Sequence, residues 1–354
     1  MIAILTAAAV AMIASLVGTR LLIAVFKRIG KGQPILGAED RGPVQHLKKQ
    51  GTPTMGGIAI LLAASLGWFV AHFRDGLPFS DQSMIIWAAV FVLGFVGFLD
   101  DFLKVQRQHN RGLFWKRKGY ITFAICIALT WWLTAATGVS QTLSFTRADL
   151  PGITFTWPLF VVWTALMVWG TSNAVNVTDG LDGLAAGSAS FGFIAFTVVA
   201  YWAFRNPQFY GDVVNPLDLA VLSASLAGAC GGFLWWNAAP ARIFMGDVGA
   251  LGLGTALGLL AVTTNTHLLL PIICGINVIE AGSVALQMGV FKASGRKKRL
   301  FKNSPIHHHF EQSGWPETTV IIRFWIISAI CVSTAVAAFI ADFTNLQNLY
   351  GLRR

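Results

Sequence analysis

An all-α polytopic membrane protein of about ten transmembrane helices is the fold this sequence predicts, on three observations. Of its 354 residues, 55% are hydrophobic and 12% charged, whereas soluble domains carry about 25% charged residues. The mean hydropathy is +0.63, and a soluble chain of this length would form about two or three domains whose surfaces these residues cannot cover. Apolar runs near the roughly 20 residues that cross a bilayer recur along the whole chain. Together these exclude an ordinary soluble enzyme, a disordered chain and a coiled coil.

The first run, 3–26, has no basic residue before Arg20, so it reads as a span and not a signal peptide. Spans follow at 54–73, 83–103, 120–137, 158–177, 183–203 and 217–236. The eighth, 248–264, is Gly-rich. The ninth, 269–291, carries Glu280 and is expected to bend or break near Gly275 to Gly282, because a carboxylate at membrane depth needs a partner or water. The tenth covers 319–343. Between the fourth and fifth, residues alternate polar and apolar around a Pro151-Gly152 turn signal, which predicts a small outer β-hairpin near 142–157. Cys126, Cys230, Cys274 and Cys331 each lie in an apolar run without CxxC spacing and read as buried, reduced thiols. With no internal repeat and no long loop, 1–354 reads as a single integral membrane domain.

Ten crossings put loops 27–53, 104–119, 178–182, 237–247 and 292–318 on one side, with 19 of the 26 Lys and Arg residues. The positive-inside rule makes that side cytoplasmic and puts both termini outside.

The same loops carry the acidic residues that need explaining. Asp100 and Asp101 close the third span in GFLDDFLK, Asp179 and Asp182 follow the fifth in NAVNVTDGLDG, and Asp247 begins the eighth in RIFMGDVG. Negative charge at a helix C-terminus is disfavoured by the macrodipole, so the Asp100–Asp101 pair calls for a cation. Hard oxygen ligands suit Mg²⁺, which binds one or two carboxylates and leaves room for water and substrate phosphate. Lys48, Lys49, Lys104, Lys116, Arg117, Lys118 and the run Arg296–Arg299 surround them. Basic loops alone would be explained by topology and anionic headgroups. Joined to five carboxylates on one face, they point to a site handling pyrophosphate. Asn176 lies three residues before Asp179, so a continuing helix would place the two on neighbouring faces.

The run Pro305–Glu311, PIHHHFE, admits zinc binding or histidines that bond phosphate or orient an acidic partner. No cysteine is near, and adjacent histidines point apart, so the second reading fits better. GTPTMGG, Gly51–Gly57, lacks the lysine of a P-loop. It supports a phosphate through backbone N–H and Thr hydroxyl groups, or it is a loop and helix start.

In this order and on one side, GTPTMGG, FLDDFLK, NAVNVTDGLDG, FMGDVG and PIHHHFE resemble the phospho-N-acetylmuramoyl-pentapeptide-transferase family, within the polyprenyl-phosphate N-acetylhexosamine-1-phosphate transferases. The resemblance covers essentially the whole chain. It implies transfer of phospho-N-acetylmuramoyl-pentapeptide from its UDP derivative to undecaprenyl phosphate, giving lipid I and UMP in peptidoglycan synthesis, with Mg²⁺. It also implies a homodimer among membrane lipids, with no nucleic-acid partner. Asp247 is similar to the family's metal-binding aspartate, with Asp100, Asp101, Asn176 and Asp179 as further candidates. Asp100, Asp101, Asn176, Asp179, Asp247, His307 and His308 are the implied catalytic residues. Gly180, Leu181, Asp182, Asn237 and Phe244 resemble the uracil pocket, with Phe244 as a stacking face. Lys49, Thr54, Lys104, Lys116, Gln287, His307, His308 and His309 resemble nucleotide-sugar and phosphate contacts.

Two routes fit: direct attack by the lipid phosphate, or a covalent phospho-sugar aspartate. A phosphate monoester's second pKa near 6 leaves the nucleophile largely ionised at neutral pH, which favours the direct route. The rival class, a secondary transporter, would place its ionisable residues at mid-bilayer, where Glu280 is the main one. A related transferase using another UDP-N-acetylhexosamine is the nearer alternative.

Overall fold

The computed structural model describes residues 1–29, 49, 51–107 and 112–349. Lys48 and most of loop 27–53 lie outside the described residues. Among the described residues, thirteen helices and one hairpin follow in chain order: α1 (Ile2–Ile29), α2 (Gly57–Asp75), α3 (Asp81–Arg107), α4 (Trp115–Ala136), β1 (Thr142–Arg147), β2 (Leu150–Thr154), α5 (Trp157–Thr178), α6 (Leu184–Arg205), α7 (Pro207–Tyr210), α8 (Pro216–Asn237), α9 (Gly246–Thr263), α10 (Leu270–Ile273), α11 (Gly275–Ala293), α12 (Ile306–Glu311) and α13 (Glu317–Leu349). Among the described residues, nine helices are long and apolar enough to cross a membrane: α1 to α6, α8, α9 and α13.

The remaining expected span, 269–291, is divided. Helix α10 stops at Ile273, and α11 starts at Gly275 and runs unbroken through Gly282. The break therefore falls at Cys274, just before the expected stretch. Glu280 does not interrupt α11, because it finds a partner on α12.

Helix α9 is the hub, packed against α3, α5, α2 and α6. Every residue from Val248 to Thr263 is buried. Its small residues explain this, since membrane helices associate where glycine and alanine let backbones approach. Gly57 of α2 faces Gly249 so closely that a Cβ on Gly57 would overlap the Gly249 backbone. Ser172 Oγ of α5 donates to Leu251 O at 3.1 Å. The Gly-rich composition that made this the least typical span in the sequence is thus what centres it.

Around this hub α1 packs on α8 and α2, α6 on α8 and α13, α4 on α5, and α11 on α5 and α13. Apolar side chains such as Leu5, Ile13 and Leu21 of α1 and Ile322, Ile326 and Ile330 of α13 are exposed, as a lipid-facing surface requires. The hairpin forms as expected, but its turn is Ala148–Asp149. Pro151 and Gly152 instead lie in β2, where the register shifts. Thr146 Oγ1 and Arg147 Nε both bond Asp342 Oδ2 of α13, at 2.6 and 3.0 Å, which fixes where the strand can end. The four cysteines are free, three of them buried and Cys331 half-buried.

Candidate active site

Helix α3 continues to Arg107, so Asp100 and Asp101 lie within it and not at its C-terminus. The expected clash with the macrodipole therefore does not arise, and their cations come from side chains. Lys104, one turn on, reaches Asp100 Oδ2 at 2.7 Å, Asp101 Oδ1 at 3.4 Å and Asp247 Oδ2 at 3.0 Å. Lys118 of α4 reaches Asp100 Oδ2 at 3.4 Å and also pairs with Asp247 Oδ2. The Leu113 N–H donates to Asp100 Oδ1 at 2.5 Å. Asp100, Asp101 and Asp247 each offer an oxygen, all within 4.8 Å of one another. Such a set of hard oxygen donors fits a divalent cation of the Mg²⁺ type.

The strap Gly51–Gly57 brings Asp247 to this point. Gly56 N–H donates to Phe244 O and Gly57 N–H to Met245 O, each at 2.9 Å, while Phe244 N–H donates to Pro53 O at 2.8 Å. The segment is thus a backbone clasp on the loop that leads into α9. Thr54 is buried there, its hydroxyl unpartnered beside Gly246. Asn176, on the last turn of α5, donates from Nδ2 to Asp247 Oδ1 at 2.7 Å.

Helix α5 ends at Thr178, and the two acidic residues of the following loop part company. Asp179 stays with the cluster and accepts a backbone hydrogen bond from Gly246. Burial, then the negative charges of Asp247 and Asp101, push its carboxyl up to about 8. Asp182 turns away: Oδ1 takes Lys49 Nζ at 2.7 Å, and Oδ2 accepts from Ala241 N–H at 2.9 Å. Lys49 also pairs with Glu317 at 2.5 Å, and Glu317 accepts from the Asp182 N–H at 3.2 Å. Leu181 is buried in a small apolar cluster with Leu184, Ile276 and Phe324. Asn237 donates to Ile243 O at 2.9 Å, closing the turn before half-buried Phe244. Gly180 is exposed and lies directly over His307.

The three histidines separate in role. His307 is fully buried and bonds Glu280 through Nδ1 at 2.9 Å. His308 pairs with Glu311 at 2.7 Å. His309 Nδ1 accepts from the Lys302 N–H at 3.1 Å. Gln287 likewise holds the 300–301 backbone with three hydrogen bonds of 2.9 to 3.2 Å. These last two side chains, expected as substrate contacts, shape the loop between α11 and α12. Lys116 is exposed on the first turn of α4, and Lys118, absent from the expected contact residues, is the α4 lysine that enters the carboxylate centre. Reading the sequence also missed Glu317; its one signal is an acidic residue opening a helix after Pro316.

Residues 83–265 match the family model described as glycosyl transferase family 4. Residues 49–61, which include the strap, match the one described as phospho-N-acetylmuramoyl-pentapeptide-transferase signature 1. Curated relatives bearing that transferase name include a Cutibacterium acnes protein, 45% identical over 97% of this chain and 99% of its own. Another, from Frankia alni, is 43% identical over 98% and 99%. One from Nocardioides sp. is 44% identical over 96% and 98%.

Proposed function

The chain belongs to the phospho-N-acetylmuramoyl-pentapeptide-transferase family, and from that premise we propose that it moves phospho-N-acetylmuramoyl-pentapeptide from UDP to undecaprenyl phosphate, releasing UMP and forming lipid I for peptidoglycan synthesis. The observation that carries this reading is the convergence of Asp100, Asp101 and Asp247 with Lys104 and Lys118. In this reading α10 and α11 together make a ninth crossing of ten. Both termini then face the periplasm and the carboxylates face the cytoplasm at headgroup depth. The excess of Lys and Arg on that side supports the orientation. A soluble nucleotide and a lipid phosphate meet at such a boundary. Exposed Val278, Ile279, Leu286 and Met288 of α11 offer the polyprenyl chain an apolar wall.

Asp247, with Asp100 and Asp101 in reach, would hold Mg²⁺, which when bound neutralises a diphosphate and polarises its phosphorus. Asn176 fixes the Asp247 carboxylate by its 2.7 Å bond. Lys104 and Lys118 place two ammonium groups where two anions must approach, so that positioning and electrostatics lower the barrier. Asp179, whose carboxyl is pushed up by burial and by the charges of Asp247 and Asp101, sits beside this centre. The lipid phosphate oxygen attacks the β-phosphorus in line, the bond to the bridging oxygen breaks, and UMP leaves with that oxygen. Lys49, Asp182, Asn237 and Phe244 line the nucleotide side. A homodimer in a bacterial inner membrane is the expected assembly.

The test incubates purified protein with UDP-N-acetylmuramoyl-pentapeptide, undecaprenyl phosphate and Mg²⁺ and follows UMP release. Release by the wild type that is lost in Asp247→Ala supports the reading. No release by the wild type, or undiminished release by Asp247→Ala, overturns it.

A further inference from the structure

Helix α11 presents a polar face toward the site end of the bundle. Asn277 Nδ2 donates to Thr178 Oγ1 at 3.0 Å, which ties α11 to the last turn of α5. One turn on, Glu280 is fully buried, and its Oε2 meets His307 Nδ1 at 2.9 Å. A carboxylate accepts only, so the shared proton sits on Nδ1. The ring is fully buried as well. Its one remaining polar atom, Nε2, is buried without a partner. That atom lies against Gly180, the residue after Asp179 and an exposed edge of the site.

A pair that served only to hold α11 against α12 would have its polar atoms satisfied, because an unmet buried polar atom costs about 1–3 kcal/mol. Here Nε2 stays unmet, as does Glu280 Oε1, and Nε2 lies against exposed Gly180. We infer that Glu280 is a positioning residue for the transfer reaction, fixing the Nδ1–H tautomer of His307 so that Nε2 alone faces the substrate beside Gly180. The inference rests on the transferase reading for its substrate, but the tautomer is a property of the empty protein. The arrangement follows the general logic of a carboxylate holding an imidazole in one tautomer.

The experiment uses Glu280→Gln, which keeps volume and burial while letting either ring nitrogen carry the proton. Nitrogen NMR of ¹⁵N-histidine-labelled protein in detergent, assigned with His307→Ala, should show His307 protonated on Nδ1 in the wild type. In Glu280→Gln the two tautomers should mix. UMP-release kinetics should show kcat falling about 10–100-fold in Glu280→Gln, with KM for the nucleotide-sugar changing less than about threefold. In a His307→Ala background the Glu280→Gln change should cost no more than about twofold further, because its partner is gone. Wild-type His307 protonated on Nε2 alone overturns the proposal. So does a kcat within about twofold of wild type, or an equal loss in both backgrounds. Failure of the transferase reading is separately visible as no UMP release by the wild type, with the tautomer signal still present or absent on its own account.

Discussion

Replacing Gly180 with alanine adds one methyl group against the His307 ring. The added Cβ would stand 2.7 Å from Cε1 and closer still to Nε2, whereas ordinary contact begins at 3.4 Å. Ring and backbone must therefore separate by at least about 0.7 Å. Gly180 has no positive φ, so alanine brings no backbone strain of its own. The ring cannot yield freely, because it is fully buried and its Nδ1 is held by Glu280. Either the 2.9 Å bond stretches or the Gly180 backbone moves with Asp179 beside it. A misplacement near 1 Å in a reacting constellation costs about 10²-fold in rate, so Gly180→Ala is expected to lower kcat by roughly 10–100-fold. Steady-state UMP release measures this, and the thermal unfolding midpoint should fall by only a few degrees. In His307→Ala, where the obstructing ring is absent, the same change should be nearly neutral. A kcat within about twofold of wild type, or an undiminished loss in the His307→Ala background, would refute the reasoning.

Three other expectations follow from the same packing and charges. Lys118→Met leaves Lys104 alone among three carboxylates, and kcat for UMP release should fall about 10²–10³-fold with little change in the unfolding midpoint. Burial pushes His267 down to about 4; an unfolded chain takes up that proton near 6.5, so stability should fall as pH drops from 6.5 to 4, by up to about 3 kcal/mol. Thermal unfolding across that window should show the acid loss, and His267→Gln should flatten it. Gly57→Val drives a side chain into the Gly249 backbone, two residues past Asp247. It should destabilise by about 1–3 kcal/mol or more in thermal unfolding and lower UMP release along with it.

The crossings were legible because bilayer thickness dictates how long an apolar run must be, and helices α1 to α6, α8, α9 and α13 match such runs. The convergence of Asp100, Asp101 and Asp247 was legible for a related reason: with so few charges in the chain, each one kept needs a purpose. Within Lys116-Arg117-Lys118, no local pattern says which side chain turns toward α3. That choice depends on residues 112–114 folding back onto Asp100. Gln287 and His309 bond loop backbone, an interaction that composition does not announce. Glu317 joins Asp182 across 135 residues of chain, so only the closed fold reveals the pair. In the hairpin, Pro151-Gly152 has the chemistry of a turn, yet the anchoring of Arg147 on Asp342 sets the reversal earlier.

Helix α9, which carries Asp247, has no buried-to-lipid transition along its length from Val248 to Thr263. The residues that meet the bilayer belong instead to helices such as α1 and α13. Changes in acyl length or fluidity therefore do not press directly on the helix that carries Asp247, although α3, which carries Asp100 and Asp101, exposes Phe95, Leu99 and Phe102 beside them. The helix behind Asp247 is screened from the bilayer by protein, as a soluble protein's buried core is from water. For engineering, this divides the molecule: the lipid-facing sides of α1 and α13 should accept apolar exchanges or fusion partners, while a methyl group added along α9 must displace protein on every side.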